Sequence, residues 1–323
     1  MKKVLILVGP TGVGKTGASI LLAKEMGTEI ISADSMQVYR GMDIGTAKPS
    51  QEERAVVTHH MIDIVDPTEP FSTGRYIETI VPVIEGLHNK GKIPIVVGGT
   101  GLYIKAVTRG IFSGPSADWD LREELLSAER EKPGALYSYL LEVDALAAEK
   151  IGRNDTRRVL RAIEVCLKGR HRMSSLQENL TRPLPYEFIK IGLTRERREL
   201  YRIIDGRVNA MIAAGLLEEV ERILKMGPDR TPLQAIGYKE LARYFKGEIT
   251  RDEAVRLVKR NSRRYAKRQF TWFRKEEEVT WIDVTGVFYS EQLFGMIKAC
   301  LARLHPEEWG MSAKKGPMLS RDT

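Results

Sequence analysis

Short apolar runs and longer amphipathic stretches alternate along the first hundred residues. The apolar runs Lys3–Val8, Glu29–Ala33 and Ile93–Val97 are followed by glycine or aspartate, a pattern typical of strands buried on both faces of a parallel sheet. Between them, Thr16–Met26 and Thr73–His88 place apolar residues at helical spacing. This alternation predicts an α/β fold with a doubly wound parallel sheet.

The pattern changes after residue 116. Ala117–Lys168 consists of helical stretches without a strand-like run, which predicts a small helical domain inserted into the core. Strand patterns return at Phe188–Leu193 and Val279–Asp283, and the remaining helices are expected at Glu196–Met226, Tyr238–Lys246 and Arg251–Gln269. We therefore expect residues 1–114 to begin the core, 115–150 to form the insertion, 151–305 to complete the core and 306–323 to form a loose tail.

Composition adds one localised feature to this picture. The chain has 323 residues, which is enough for two hydrophobic cores. Its formal net charge is +8, and residues 251–275 alone hold ten basic and two acidic side chains. Clustered Lys and Arg favour a polyanionic partner, although a solvated helix face would show the same pattern.

Neither a membrane nor a disulfide framework is indicated. No apolar run reaches the roughly 20 residues of a membrane span, and the N-terminus lacks a signal peptide's pattern, so we expect a cytoplasmic protein. Cys166 and Cys300 stand far apart and outside any CxxC pair, which favours neither a zinc site nor a disulfide.

A glycine-rich motif supplies the first candidate chemistry. Residues 9–16 read GPTGVGKT and match G-x-x-x-x-G-K-[ST] between a predicted strand and a predicted helix. The glycines let backbone N–H groups converge on phosphate oxygens, the lysine adds charge, and the threonine hydroxyl can hold Mg²⁺. The predicted phosphate ligands are Gly9, Pro10, Thr11, Gly12, Val13, Gly14, Lys15 and Thr16; the alternative is a tight turn without a ligand.

Asp34 is the carboxylate best placed for chemistry, because it follows the second strand at the edge where open α/β sheets bind ligands. It is a candidate base; a ribose ligand or a helix cap are the alternatives. The strand before Gly98 leads into no carboxylate, so nucleotide hydrolysis is weakly supported. His59 and His60 lack a third metal ligand at suitable spacing, so we expect structural roles for them.

The basic segment carries aromatic residues as well. Arg256, Arg260, Arg263 and Lys267 form a stripe at helical spacing, and KRQFTWFR (267–274) mixes basic and aromatic side chains. Phosphate contacts joined by base stacking are typical of RNA binding, while core packing of the aromatics is the alternative. A second basic cluster, NDTRRVLR (154–161), resembles a capped helix start.

Eight blocks, in order, resemble the tRNA dimethylallyltransferase family. They are GPTGVGKT, DSMQVYRGMDIGTAKP (34–49), THHMID (58–63), FSTGRY (71–76), VVGGTGLY (96–103), NDTRRVLRAIEV, QAIGYKE (234–240) and KRQFTWFR. The resemblance implies transfer of a dimethylallyl group from dimethylallyl diphosphate to N6 of adenosine 37 in tRNAs that read codons beginning with U. Eukaryotic members carry a C-terminal zinc finger; no cysteine follows Cys300, so the chain resembles the bacterial form.

The resemblance also assigns roles to individual residues. Asp34 would accept the amine proton, Arg207 would bind the diphosphate, and Thr100 would contact the tRNA near the target base. Mg²⁺ would be held on Thr16. The residues implied to contact RNA are Ser35, Met36, Gln37, Thr100, Arg122, Arg157, Arg158, Arg161, Gly237, Tyr238, Lys267, Arg268, Gln269, Trp272 and Arg274, with the helical insertion clasping the anticodon stem.

Two other function classes remain open from the residues alone. A P-loop kinase of a nucleoside or RNA would consume ATP, and a non-catalytic RNA-binding protein would show affinity for tRNA without product. Because the residues for both halves of the reaction lie in one chain, we expect a monomer.

Overall fold

In the computed structural model of the chain, which describes residues 2–112, 114–169 and 171–309, six parallel strands form one sheet in the order β3-β2-β4-β1-β5-β6. The strands are β1 (Lys3–Val8), β2 (Ile30–Ala33), β3 (His59–His60), β4 (Ile95–Gly98), β5 (Glu187–Thr194) and β6 (Val279–Asp283). The predicted α/β fold with a parallel sheet is therefore confirmed.

Fifteen α-helices are found in the described part of the chain. They are α1 (Lys15–Glu25), α2 (Gln51–Val56), α3 (Thr73–Asn89), α4 (Gly101–Arg109), α5 (Trp119–Glu131), α6 (Ala135–Val143), α7 (Ala145–Lys150), α8 (Thr156–Gly169), α9 (Met173–Leu180), α10 (Arg197–Ala213), α11 (Leu216–Lys225), α12 (Tyr238–Phe245), α13 (Arg251–Phe273), α14 (Ser290–Leu304) and α15 (Pro306–Trp309).

The chain divides into two compact units. The first comprises the described residues of 1–72, 78–104 and 186–323, and it contains the sheet. The apolar part of β1 is fully buried, because β4 and β5 pair with it on either side and α1 packs against it. Ala33, Gly98, Val8 and Gly192 lie in register across four adjacent strands. The residues that follow these positions therefore meet at one edge of the sheet.

The second unit is helical and comprises 73–77 and the described residues of 105–185. Leu140 of α6, Ile163 of α8 and Met173 of α9 belong to the same hydrophobic core. The unit is thus wider than the expected insertion at 115–150, because α8 and α9 bury their apolar faces with those of α6 and α7.

The sequence patterns did not predict several of the strands and helices. β3 has only two residues, too few to show a period. α4 starts directly after Gly98-Gly99-Thr100, a glycine cluster that predicts a loop, and α2 and α14 were not expected. Within 306–323, α15 takes up 306–309, and residues 310–323 lie outside the described residues. Among the helices described, none is long and apolar enough to cross a membrane.

Candidate active site

The GPTGVGKT loop joins the end of β1 to the start of α1, as the motif predicts. Gly12 and Gly14 have φ of 81° and 104°, which side chains rarely adopt. At Gly9, a Cβ atom would lie 2.7 Å from the backbone oxygen of Leu193. The loop therefore needs glycine at these positions to form a concave backbone surface above α1.

Two cationic side chains lie at this loop. Lys15 folds back so that its Nζ donates to the backbone oxygens of Gly9 at 2.8 Å and Pro10 at 2.9 Å. Burial, with the charge of Arg207 nearby, lowers the pKa of Lys15 to about 7, although Asp34 opposes the shift. Arg207 of α10 donates from Nη1 to Thr11 Oγ1 at 3.4 Å. The loop thus carries more positive charge than its neighbourhood balances, as an anion site requires.

Asp34 follows β2 on the same edge of the sheet. Its Oδ1 accepts from the backbone N–H groups of Met36 at 2.8 Å and Gln37 at 3.4 Å. Burial raises the pKa of this carboxyl, and those N–H groups together with Lys15 oppose the rise. A partly buried carboxyl that titrates above its usual range suits a general base.

Thr100 connects the end of β4 with the Asp34 loop. Its Oγ1 accepts from the backbone N–H of Ser35 at 3.0 Å, and its own N–H donates to the Ala33 oxygen at 3.1 Å. Tyr265 of α13 lines the cavity beside this loop, and burial raises the pKa of Tyr265 to about 12. Tyr265 lies outside both the basic stripe and the KRQFTWFR block, so the sequence patterns did not identify its position at the site.

Residues of the cradle, Asp34, Arg207 and Tyr265 line one cavity of about 400 Å³ within the first unit. Its polar lining includes Thr11, Lys15, Thr16, Asp34, Gln37, Lys48, Arg207, Tyr265 and Gln269, and its apolar lining includes Ile30, Ile62, Val97, Ile203, Phe288 and Leu293. The cavity thus combines a cationic phosphate cradle, one candidate base and apolar walls, as expected for a site that binds a phosphorylated apolar molecule.

His59 and His60 occupy different environments. His59 lines the cavity with its Nδ1 at 2.8 Å from the Val57 oxygen, while His60 Nε2 lies 2.7 Å from Glu29 Oε2. Neighbouring residues of a strand point to opposite faces. Among the described residues, no group of three or more His, Cys, Asp or Glu side chains is arranged to hold a metal ion.

Gln269 was expected on the RNA-binding surface, but the structure buries it at 5% exposure. Its Oε1 accepts from the backbone N–H of Thr11 at 2.9 Å, and its Nε2 donates to the Gly99 oxygen at 2.8 Å. Both polar ends of the side chain are thereby used inside the protein.

Tyr238 is buried as well, although it too was expected to contact RNA. Its hydroxyl donates to Glu219 of α11, and Glu219 also accepts from the backbone N–H groups of Asp43, Ile44 and Gly45 at 2.8–2.9 Å. Gly237, also buried, starts α12 with φ of 99°. Sequence reasoning missed Glu219, because no local pattern links it to residues about 175 positions away.

In the second unit, the arginines expected to contact RNA have different surroundings. Arg122 forms a bidentate pair with Glu164, with Nε at 3.0 Å and Nη2 at 2.8 Å from its oxygens, and Arg161 pairs with the same carboxylate. Glu164 is fully buried. Arg157 and Arg158 are exposed, and Arg158 pairs with Asp155 at 3.3 Å.

The end of α13 presents the remaining expected contacts. Lys267, Arg268 and Arg274 are exposed, while Trp272 is half-buried. Arg268 stacks on the ring of Tyr265 at 5.7 Å. Further up the helix, Arg256 pairs with Glu253 and Arg263 with Asp205, so part of the predicted basic stripe is neutralised.

Comparison with known proteins agrees with this geometry. The family model described as IPP transferase matches residues 37–276. The tRNA dimethylallyltransferase of Thermodesulfovibrio yellowstonii is 54% identical over 310 residues, which are 94% of this chain and 98% of that protein. That of Acetivibrio thermocellus is 46% identical over 307 residues, covering 94% and 98% of the two chains.

Solved structures of similar proteins agree with the family match. The tRNA isopentenylpyrophosphate transferase of Bacillus halodurans is 43% identical with a TM-score of 0.69, covering 94% of this chain and 98% of that one. A eukaryotic dimethylallyltransferase, described as acting on tRNA, is 29% identical with a TM-score of 0.75 and coverages of 94% and 78%.

Proposed function

The chain belongs to the IPP transferase family, and on that premise we propose that it transfers the dimethylallyl group from dimethylallyl diphosphate to N6 of adenosine 37 in tRNAs that read codons beginning with U. One observation carries the proposal beyond the family match. A single cavity holds a phosphate cradle with Lys15 and Arg207 and a carboxyl, Asp34, whose burial suits it to accept a proton. The reaction needs these two functions together.

The cradle serves the leaving group. As the C–O bond of the donor breaks, negative charge builds on the diphosphate, so Lys15, Arg207 and the N–H groups of the loop stabilise the transition state more than the ground state. The leaving diphosphate also favours protonated Lys15, because an anion opposes the lowering of its pKa.

Asp34 serves the acceptor. The exocyclic amine of adenine is a weak nucleophile because its lone pair is delocalised into the ring. Asp34 accepts a proton from N6 as the allyl carbon becomes cationic, which raises the nucleophilicity of the nitrogen. The contact of Thr100 with Ser35 holds the loop that carries this carboxyl.

Mg²⁺ fits the residues present. Thr16 offers an exposed hydroxyl at the cavity, and Mg²⁺ commonly uses one or two protein oxygens together with phosphate oxygens and water. When bound there, the ion would neutralise part of the diphosphate charge.

The acceptor base has to leave its stack to reach a cavity of this kind. We propose that Ser35, Met36 and Gln37 line its entry. The exposed side chains Lys267, Arg268, Arg274 and Arg157 would contact the anticodon stem-loop, and the helical unit would grip its stem. Arg122 and Arg161 would contribute through the surface that their pairing with Glu164 organises.

We further propose a cytoplasmic monomer, because tRNA is the substrate and one chain carries both halves of the site.

The proposal is tested with purified protein, Mg²⁺, dimethylallyl diphosphate and unmodified tRNA. Mass spectrometry of the nuclease digest should find one dimethylallyl group on adenosine 37, and omission of the diphosphate should abolish it. A parallel reaction with ATP reports on the kinase alternative. Consumption of ATP with phosphorylated RNA, or tight tRNA binding without product, would reject the proposal.

A further inference from the structure

Gln269 connects two loops that belong to opposite halves of the cavity. Its Oε1 accepts from Thr11 in the phosphate cradle at 2.9 Å, and its Nε2 donates to Gly99 at the end of β4 at 2.8 Å. The next residue after Gly99 is Thr100, which binds the backbone of the Asp34 loop at 3.0 Å. Hydrogen bonds and the covalent link from Gly99 to Thr100 therefore connect the cradle through Gln269 to Ser35, the residue next to the candidate base.

Side chains of α13 pack closely against the glycines that follow β4. A Cβ atom at Gly99 would lie 2.1 Å from Gln269 Nε2, and one at Gly101 would lie 2.3 Å from Trp272 Cδ1. The glycines of this loop thus leave room for two side chains of α13. Tyr265, one turn earlier on the same face, also lines the cavity.

We propose that Gln269 is a positioning residue: it holds the diphosphate cradle and the Gly98–Thr100 loop at the separation that transfer requires. This role rests on the proposed prenyl transfer and replaces the RNA contact expected for Gln269. Because the amide both accepts and donates, no other residue of this length can make both contacts. Substitution therefore misaligns donor and acceptor without removing a charge that binds either of them.

The test uses two substitutions with matched controls. Gln269→Met removes both hydrogen bonds at similar length, and Gln269→Glu in its ionised form keeps an acceptor for Thr11 but has no proton to donate to Gly99. Gln292→Met and Gln292→Glu, at an exposed glutamine of α14, are the controls. Single-turnover transfer at saturating donor and tRNA, the Kd for tRNA, and the midpoint of urea unfolding are measured for the full chain.

A positioning role predicts a transfer rate lowered about 10–100-fold in both Gln269 variants, since buried partners lose their hydrogen bonds. The Kd for tRNA stays within about threefold of the parent protein, as one uncharged contact away from the phosphates contributes little to RNA affinity. An unchanged rate, or a weakened Kd for tRNA with normal transfer at saturation, overturns the proposal. If Gln269→Met does not fold, Gln269→Glu decides it.

Inorganic pyrophosphate separates this proposal from the function it rests on. If the parent protein transfers no prenyl group, the proposed function fails, and pyrophosphate affinity still tests Gln269. Gln269→Met should then bind pyrophosphate at least about threefold more weakly, because Thr11 loses its partner in the cradle, while Gln292→Met should not. Equal affinities of the two variants overturn the positioning role.

Discussion

Burial shifts Asp34 and Lys15 towards their neutral forms in the same cavity, since the pKa of the carboxyl rises and that of the ammonium falls. Neither group has a partner that fully compensates its charge. Such groups become useful when a ligand supplies the missing charge or proton. The two residues therefore provide the sharpest tests of the site.

Asp34→Asn should lower kcat about 10²–10⁴-fold, because the amide cannot accept a proton while its oxygen still accepts from Met36. Because the pKa of Asp34 is raised, kcat/KM of the parent protein should increase as the pH rises through the pKa of this carboxyl. The Asp34→Asn variant should not show this increase with pH. Pyrophosphate affinity should change little. Asp66→Asn, at a half-exposed carboxylate paired with Arg40, is the control. A pH profile identical in Asp34→Asn and the parent would remove Asp34 as base.

Lys15 should take up a proton when pyrophosphate binds. Its pKa is about 7 in the free protein, and the bound anion raises it, so at about pH 8 an initially neutral amine becomes charged. Calorimetry in buffers of different ionisation enthalpy should show uptake that is lost in Lys15→Met and kept in Lys24→Met, an exposed lysine of the same helix. Equal uptake by the Lys15 variant would contradict the assignment.

At the scale of elements, α11 holds the segment after Asp34 in place. Glu219 accepts three consecutive backbone N–H groups, from Asp43 to Gly45, and the hydroxyl of Tyr238. The next two carbonyls, of Thr46 and Ala47, accept from Gln37 Nε2 at 3.3 Å. The helix therefore determines the path of a segment that lines the cavity.

Glu219→Gln should lower the free energy of unfolding by about 2–3 kcal/mol, because an amide turns an N–H group toward donors that need an acceptor. It should also slow transfer, as Gln37 loses its anchored partners. Urea unfolding and the transfer assay measure the two effects. Glu218→Gln, at the exposed neighbour, should alter neither; matching results for both variants would mean that Glu219 does not hold the segment.

The local sequence predicted those strands and helices whose pattern of apolar residues alone identifies the type of element. The runs that became β1, β2, β4 and β5 are apolar because they are buried on the sheet, and that requirement is visible in each segment alone. The edge strand β6 is mostly half-buried. The helices around them follow from spacing in the same way. Local patterns could not assign Gln269 and Glu219, because their backbone partners lie about 170 or more positions away and depend on how helices pack. The motif identified the cradle, while the packing decided which residues of KRQFTWFR face inward.

For the whole molecule, the basic side chains behind the net charge of +8 differ in whether they are exposed or paired with acidic residues. Part of the basic segment is paired with acidic side chains, as Arg256 and Arg263 are. Lys267 and Arg268 remain exposed at the end of α13. The polyanion interaction proposed from sequence therefore concentrates on fewer side chains than the composition suggested.

Salt dependence of tRNA binding should report these contacts. Replacing Lys267 and Arg268 together by glutamine should reduce the slope of log K against log salt by about 1.4, at roughly 0.7 for each contact to single-stranded RNA. A Lys298→Gln, Arg303→Gln pair on α14, where Lys298 is half-buried and paired with Glu25 and Arg303 is exposed, should leave the slope unchanged. Equal slopes in all three proteins would exclude Lys267 and Arg268 as phosphate contacts.

The order β2-β4-β1 leaves one strand between Asp34 and the phosphate cradle. Adjacent strands are about 4.8 Å apart, so the two starting points are separated by nearly 10 Å. The intervening strand ends at Gly98 and is followed by Gly99, and neither glycine puts a side chain into that gap. Main-chain pairing thus sets the overall span available to nucleophile, migrating carbon and departing oxygen, and Gln269 holds the two loops within it. Accommodating a different reaction length would require a different strand order.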